Sequence, residues 1–158
     1  MKPILAILCT LCLTLNATAQ ASATVFGSGC GSPPLTLSPA TSAPPVIGTT
    51  AQVALSNVPS SLTFVAMGWS TIVSGAVPLP LPLFIFGMPD CYLLQSGESS
   101  GDPVAFTGPD TAVYGVAIPN STGLIGLDAY LQAWANAPGA NAGNTVTSNA
   151  VHWVVDRT

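Results

Sequence analysis

Apolar and polar residues alternate along several short segments of the chain, in the pattern of half-buried β-strands. In residues 51–56, Ala51, Val53 and Leu55 fall on one side. The same alternation occupies residues 111–118, 127–134 and 150–156. Residues 62–69 are apolar on both faces, which predicts a central strand covered on each side.

Turn-forming residues separate these segments. Fifteen glycines and fifteen prolines are spread along the 158 residues, and they interrupt every long stretch of helical periodicity. Residues 121–128 have room for a single helical turn. We therefore predict an all-β fold, a two-sheet immunoglobulin-like β-sandwich of about seven to nine short strands.

Prolines occupy every second position within residues 77–83, at Pro78, Pro80 and Pro82. Because proline has no N–H to donate, this segment is predicted to be either an edge strand with inward leucines or a polyproline stretch lying over the core. Either arrangement would block edge-to-edge strand pairing at this segment.

The start of the chain has the features of an export signal. Lys2 supplies a positive charge, a short apolar run follows, and residues 17–19 give the small-x-small pattern that a signal peptidase cleaves. The run is too short for a membrane span, which needs about 20 apolar residues. The sequence thus predicts a signal peptide at 1–19, with a second cleavage site after Ala21 also open. We predict that residues 20–158 form a single secreted domain, located outside the cell or in the cell envelope or periplasm. After cleavage of the signal, no transmembrane segment is predicted.

Cleavage would leave two cysteines, Cys30 and Cys91, an even number in an exported chain. This pair predicts one disulfide bond. A metal or redox pair is the alternative, but it requires close Cys or His neighbours, which neither cysteine has. Closing a loop of about sixty residues would stabilise the fold by about 4 kcal/mol in the chain-entropy model.

Charge is scarce in this chain. In residues 20–158, Arg157 is the one basic residue besides His152, and six carboxylates leave a net charge near −5. Nucleic-acid binding needs a basic surface, and acid–base catalysis needs positioned titrating groups. We therefore exclude nucleic-acid partners, expect no enzyme activity, and find no nucleotide or metal cofactor implied.

One catalytic pattern is nevertheless present by spacing. Ser99 lies in a G-x-S-x-G sequence, and Asp110 or Asp128 and then His152 follow in the order of α/β-hydrolase triads. That nucleophile requires a strand-to-helix turn in an alternating α/β chain, whereas strand-like residues 104–106 follow here. A polar turn is the preferred interpretation.

Three carboxylates fall close together in sequence, at Glu98, Asp102 and Asp110, with glycines among them. Hard cations take carboxylate and carbonyl oxygens at such loops, so a weak calcium site is conceivable. The spacing matches no EF-hand or repeat motif, and solvated acidic loops are commoner. We predict no metal site.

Aromatic side chains are the remaining candidates for ligand binding. Tyr130 and Trp134 share one face of the predicted strand at 127–134, with Gln132 between them. If exposed, the rings would stack on sugars while Gln132 hydrogen-bonds to hydroxyls, which would make a ligand platform. The alternative is that the rings fill the core, where large aromatic side chains most often lie.

Both cysteines and residues 127–133 of the predicted strand fall within four short motifs. These motifs are residues 26–30 (FGSGC), 87–93 (GMPDCYL), 118–120 (IPN) and 126–133 (GLDAYLQA). Together they resemble a β-rich domain that recurs in exported proteins of planctomycetes and myxobacteria, over about Thr24 to Val155. The resemblance implies a secreted or envelope-associated module without an established activity. It also supports pairing of Cys30 with Cys91, since both lie in matching motifs, and it supplies no catalytic residues.

These observations predict a non-catalytic secreted or cell-envelope module that binds surface polysaccharide or other exported proteins. A self-assembling structural component of the envelope or extracellular matrix is an alternative, because sparse charge gives little mutual repulsion. A glycan-active or ester-active hydrolase is the weakest alternative, although two carboxylates alone can suffice for glycoside cleavage.

Overall fold

The computed structural model describes residues 20–60, 62–99 and 101–158. The predicted signal peptide at 1–19 lies outside the described residues. The described part contains two single-turn 3-10 helices, Phe84–Phe86 and Thr122–Leu124, and no helix there is long and apolar enough to cross a membrane. The strands in chain order are β1 (Ser22–Phe26), β2 (Thr36–Pro39), β3 (Thr50–Ser56), β4 (Thr63–Gly68), β5 (Val73–Ser74), β6 (Val77–Pro78), β7 (Leu81–Pro82), β8 (Tyr92–Leu93), β9 (Asp102–Pro103), β10 (Ala105–Phe106), β11 (Thr111–Ala117), β12 (Asp128–Asn136) and β13 (Thr145–Val154).

Two antiparallel sheets form the sandwich. Sheet 1 has the strand order β1-β13-β12-β4-β9, and sheet 2 has the order β10-β11-β3-β2. Four further strands form two short ribbons, β5-β6 and β7-β8. The predicted all-β sandwich is confirmed, and the nine strands of the two main sheets agree with the predicted number.

Alternating residues from the two sheets meet in one core. Ala51, Val53 and Leu55 of β3 are buried as predicted, and they pack in one cluster with Leu131 of β12 and Val151 of β13. The predicted central strand corresponds to β4, which lies between β12 and β9. The helical turn expected after β11 is the helix at Thr122–Leu124.

Cys30 and Cys91 form the predicted disulfide bond across a sequence separation of 61 residues. Both cysteines are buried. Thr147 of β13 donates its N–H to Cys30 Sγ at 3.1 Å. Because Cys91 immediately precedes β8, the disulfide fixes the long connection between β4 and β9 to the edge of the core.

That connection crosses the outer face of sheet 1, and it contains the proline-rich residues 77–83. Leu83 is buried and Leu81 packs against the core, so these leucines point inward, as the edge-strand prediction requires. The strands β6 and β7 pair with β5 and β8, and not with either main sheet. The prolines thus lie in a covering layer over sheet 1.

Candidate functional site

The three residues of the predicted ligand platform lie on β12, in the middle of sheet 1. A β-bulge between Gln132 and Trp134 shifts the register of β12 against β13. Tyr130 and Trp134 are half-buried, whereas Gln132 is fully buried. The structure keeps the three side chains on one strand but does not present them as one exposed surface.

Gln132 is covered by the segment that crosses sheet 1. Its Nε2 donates to the carbonyls of Tyr92 and Ser148 at 2.8 and 2.9 Å, and its Oε1 accepts from the N–H of Leu94 at 3.0 Å. Both amide hydrogens are used in these bonds. Gln132 therefore fastens the crossing segment to the sheet, and its amide is not free to bind the hydroxyls of a ligand, as the platform alternative would require.

Tyr130 belongs to an aromatic group on one side of the crossing segment. Its ring stacks on His152, with centroids 4.7 Å apart, and contacts Phe26 edge to face at 6.0 Å. His152 Nε2 lies 2.6 Å from Asp128 Oδ1. Burial, followed by the negative charge of Asp128, raises the pKa of Tyr130. The neighbouring side chains thus hold this ring in a packed position.

Trp134 lies on the other side of the crossing segment, where it lines an open groove of about 640 Å³. Phe64, its cross-strand neighbour on β4, and Phe86 add two further aromatic rings. Aliphatic side chains make up most of the remaining wall, and Asn136 and Thr145 are among its few polar residues. The groove therefore offers an apolar surface with little hydrogen-bonding capacity.

An exposed apolar patch borders the groove, formed by Leu62, Phe84, Ile85 and Phe86. These side chains are 65, 64, 64 and 58% exposed, and Leu62 and Phe86 also line the groove. A contiguous apolar patch of large side chains marks an interaction surface more often than a structural one. This patch was not predicted from the sequence, although residues 79–89 form a run without any polar side chain that could have indicated it.

A smaller cavity of about 190 Å³ lies beside Leu124 of the second 3-10 helix, and its lining is almost wholly apolar. Trp153 forms part of its wall, is 2% exposed, and has an indole N–H without a hydrogen-bond partner among the described residues. Trp69, at the same cavity, is 50% exposed. Trp153 is thus a core residue, whereas Trp69 reaches the surface.

The residues of the hydrolase pattern are only partly brought together. His152 contacts Asp128, but Ser99 lies beside β4, where its N–H donates to the Met67 carbonyl at 2.9 Å and its Oγ accepts from the Met67 N–H at 2.7 Å. Three strand spacings separate Ser99 from His152 on β13, or about 14 Å. Direct proton transfer between these two side chains is not possible in this arrangement.

Two of the three carboxylates of the conceivable calcium site, Glu98 and Asp102, have other partners. Glu98 accepts from Ser96 Oγ at 2.6 Å, and this hydrogen bond lowers the pKa of Glu98. Asp102 accepts from the Tyr114 hydroxyl at 3.0 Å; burial, and then this contact, raise the pKa of Tyr114 to about 12. Within the described ranges, no three His, Cys, Asp or Glu side chains come together in a group that could hold a metal ion.

No family model matches this chain, and neither a curated protein nor a solved structure matches it.

Proposed function

We propose that this protein is a non-catalytic module exported to the cell envelope or the extracellular space, where it binds other exported proteins. The observation that carries the proposal is the Trp134 groove with the apolar patch at its border. The Cys30–Cys91 disulfide supports an oxidising compartment outside the cytosol. The resemblance to a domain of planctomycete and myxobacterial exported proteins supports the same location.

The chemistry of the groove favours an apolar protein segment over a polysaccharide. A sugar-binding site needs convergent hydrogen-bonding groups beside its aromatic rings, because every ring hydroxyl that loses water must be satisfied. The groove is predominantly apolar, and Gln132, which the platform alternative would need for those bonds, is used inside the protein. Trp134, Phe64 and Phe86 would instead receive aliphatic or aromatic side chains of a partner.

The apolar patch is large enough to support a reversible contact. Full burial of a large apolar side chain is worth about 1.5–3 kcal/mol. Covering the exposed part of the four patch side chains would therefore contribute about 4–7 kcal/mol, before the cost of association is subtracted. Stable binding therefore needs contacts inside the groove in addition to burial of the patch.

Retention on wall fractions of the producing organism tests the proposal. The exported, oxidised chain is applied to immobilised fractions that are untreated, protease-treated or periodate-treated. We expect retention that protease abolishes and that falls about tenfold, or about 1.4 kcal/mol, in Phe86→Ser. The matched control is Phe106→Ser, which removes a 42% exposed ring from β10 of sheet 2, outside the groove, and should keep native retention.

The alternative outcomes contradict separate parts of the proposal. Retention that survives protease and is lost after periodate would identify polysaccharide as the partner. Equal retention by Phe86→Ser and Phe106→Ser would remove the groove as the binding surface. Absence of retention on every fraction would favour the second candidate function, self-assembly, which an open edge of sheet 1 supports.

A further inference from the structure

Among the described residues, three of the four outer strands of the main sheets are protected against further pairing. β9 and β10 are only two residues long, and β9 carries Asp102 and Pro103. On β2, Asn149 Oδ1 accepts from the N–H of Leu37 at 2.8 Å, and Asn149 Nδ2 donates to the Leu37 carbonyl at 2.7 Å. The last residue of β2, Pro39, has no N–H. Short strands, charges, prolines and covering groups all prevent edge-to-edge pairing.

The fourth outer strand, β1, has none of these protections. It is five residues long, with the sequence SATVF, and contains no charged residue and no proline. It pairs on one side only, with β13. Val25, near its end, is 53% exposed. An uncharged, β-branched edge of this length can template another strand.

The hydrogen bonds of β13 show which side of β1 is free. Val155, next to β13, donates its N–H to the Leu127 carbonyl at 3.0 Å, and its own carbonyl accepts from the Gly126 N–H at 2.8 Å. The backbone of Val155 therefore faces β12. Successive residues of a strand direct their backbone groups to opposite neighbours. The N–H and C=O groups of Val154 and His152 therefore face β1.

The register then assigns the outward groups of β1. Thr24 pairs with His152 and turns its N–H and C=O inward to β13, so Ala23 and Val25 turn theirs outward. Ala21 is capped, because its N–H donates to the Thr158 carbonyl at 2.7 Å. No described residue forms a hydrogen bond to Ala23 or Val25 from the outer side.

We propose that a second copy of this chain adds its own β1 to this edge, antiparallel, about a two-fold axis through Thr24. In this register Ala23 lies opposite Val25 of the second copy, and each such pair exchanges two hydrogen bonds. Thr24 lies opposite its own copy in the closer, non-hydrogen-bonded spacing. The dimer would have one continuous sheet and an isologous interface.

The strand itself favours a second copy over an unrelated strand. About the two-fold axis, the exposed Val25 lies opposite the small apolar Ala23, and Thr24 lies opposite Thr24, a favourable cross-strand pair. No charge lies opposite another charge, because β1 contains none. The inference deepens the self-assembly candidate and does not depend on ligand binding in the groove.

Engineered cross-linking tests the register. Thr24→Cys should form an intermolecular disulfide, because residues in a non-hydrogen-bonded antiparallel pair have Cα atoms about 4.5 Å apart, within disulfide range. The matched control is Ser22→Cys, exposed like Thr24 and on the same face, which lies opposite Phe26 of the second copy. We expect Thr24→Cys to cross-link at least about tenfold faster than Ser22→Cys.

Sedimentation of the purified chain, without any wall fraction, tests the edge. Val25→Pro removes only an outward N–H, so it should abolish dimer formation without lowering Tm. Thr24→Pro removes an N–H that bonds to β13, so it should lower Tm. Val25→Lys serves as a second edge variant, because it places like charges near the axis.

A strictly monomeric native chain at about 1 mM would overturn the inference. At this concentration, contacts weaker than about 4 kcal/mol would escape detection. A dimer in which both cysteine variants cross-link equally, or one that Val25→Pro and Val25→Lys leave intact, would also overturn the inference. Phe86→Ser should leave the dimer unchanged, which separates this result from the binding test.

Discussion

Replacing Gln132 by methionine should destabilise the fold strongly, although the two side chains have similar length and volume. Methionine keeps the packing but donates no hydrogen bond and accepts only weakly. The substitution therefore isolates the amide bonds that fasten the crossing segment to sheet 1. It also distinguishes a structural role for Gln132 from the alternative of a ligand-binding role.

The expected magnitude follows from the partners left behind. The Tyr92 carbonyl keeps a second donor, Thr147 Oγ1 at 3.3 Å, whereas the Leu94 N–H and the Ser148 carbonyl lose the amide partner. A buried polar group left unsatisfied costs about 1–3 kcal/mol, so the two groups cost about 2–6 kcal/mol. Burial of the methionine thioether offsets about 1–2 kcal/mol of this. We expect the free energy of unfolding to fall by about 1–4 kcal/mol, out of a total of about 5–15.

Urea unfolding of the oxidised chain, followed by tryptophan fluorescence, measures this change. The midpoint should fall while the m-value stays constant, which marks a change in stability and not in the unfolded state. Gln52→Met, at a half-buried glutamine of β3, is the matched control and should change stability by less than about 0.5 kcal/mol. Native stability of Gln132→Met would refute the structural role. If such a variant also lost retention on wall fractions, Gln132 would be a ligand-binding residue after all.

Two further predictions concern the disulfide and the pH dependence of stability. Cys30→Ser with Cys91→Ser should lower the free energy of unfolding by about 4 kcal/mol, because the bond closes a loop across 61 residues; an unchanged urea midpoint would contradict this. The free energy of unfolding should also be constant near pH 9 and fall by about 1–2 kcal/mol between about pH 10 and 12. The reason is that Tyr114 loses its proton near pH 10 in the unfolded chain but near pH 12 in the folded protein. Tyr114→Phe should flatten the decline in urea midpoints, and an equally steep decline in that variant would exclude Tyr114 as its cause.

The strands that could be predicted from the sequence are those whose apolar residues alternate. β3 and β11 are examples, since Ala51, Val53 and Tyr114 are buried as the pattern requires. The first half of β13 was missed because residues 145–149 are almost all polar. Ser148 and Asn149 are nevertheless buried, and their side chains satisfy backbone groups of neighbouring strands. Hydropathy alone cannot identify a buried strand whose polar groups are paired internally.

Only the part of the candidate site that lies within a single strand could be predicted from the sequence. The sequence correctly placed Tyr130, Gln132 and Trp134 on one strand, because strand periodicity is a local property. It could not show that residues 92–94 lie over Gln132, since this contact joins segments 38 or more positions apart. The groove depends on such long-range contacts and was not foreseeable from any single segment, whereas three of the four patch residues lie within the apolar run at 79–89.

The two proposed surfaces would reinforce each other. Contact through the apolar patch alone is expected to be weak once the cost of association is subtracted. A dimer joined through β1 would carry two Trp134 grooves on one rigid sheet, so that binding of the first groove raises the effective concentration of the second at a surface. Such bivalent attachment needs no charged side chains. It therefore suits a chain whose residues 20–158 carry so little charge.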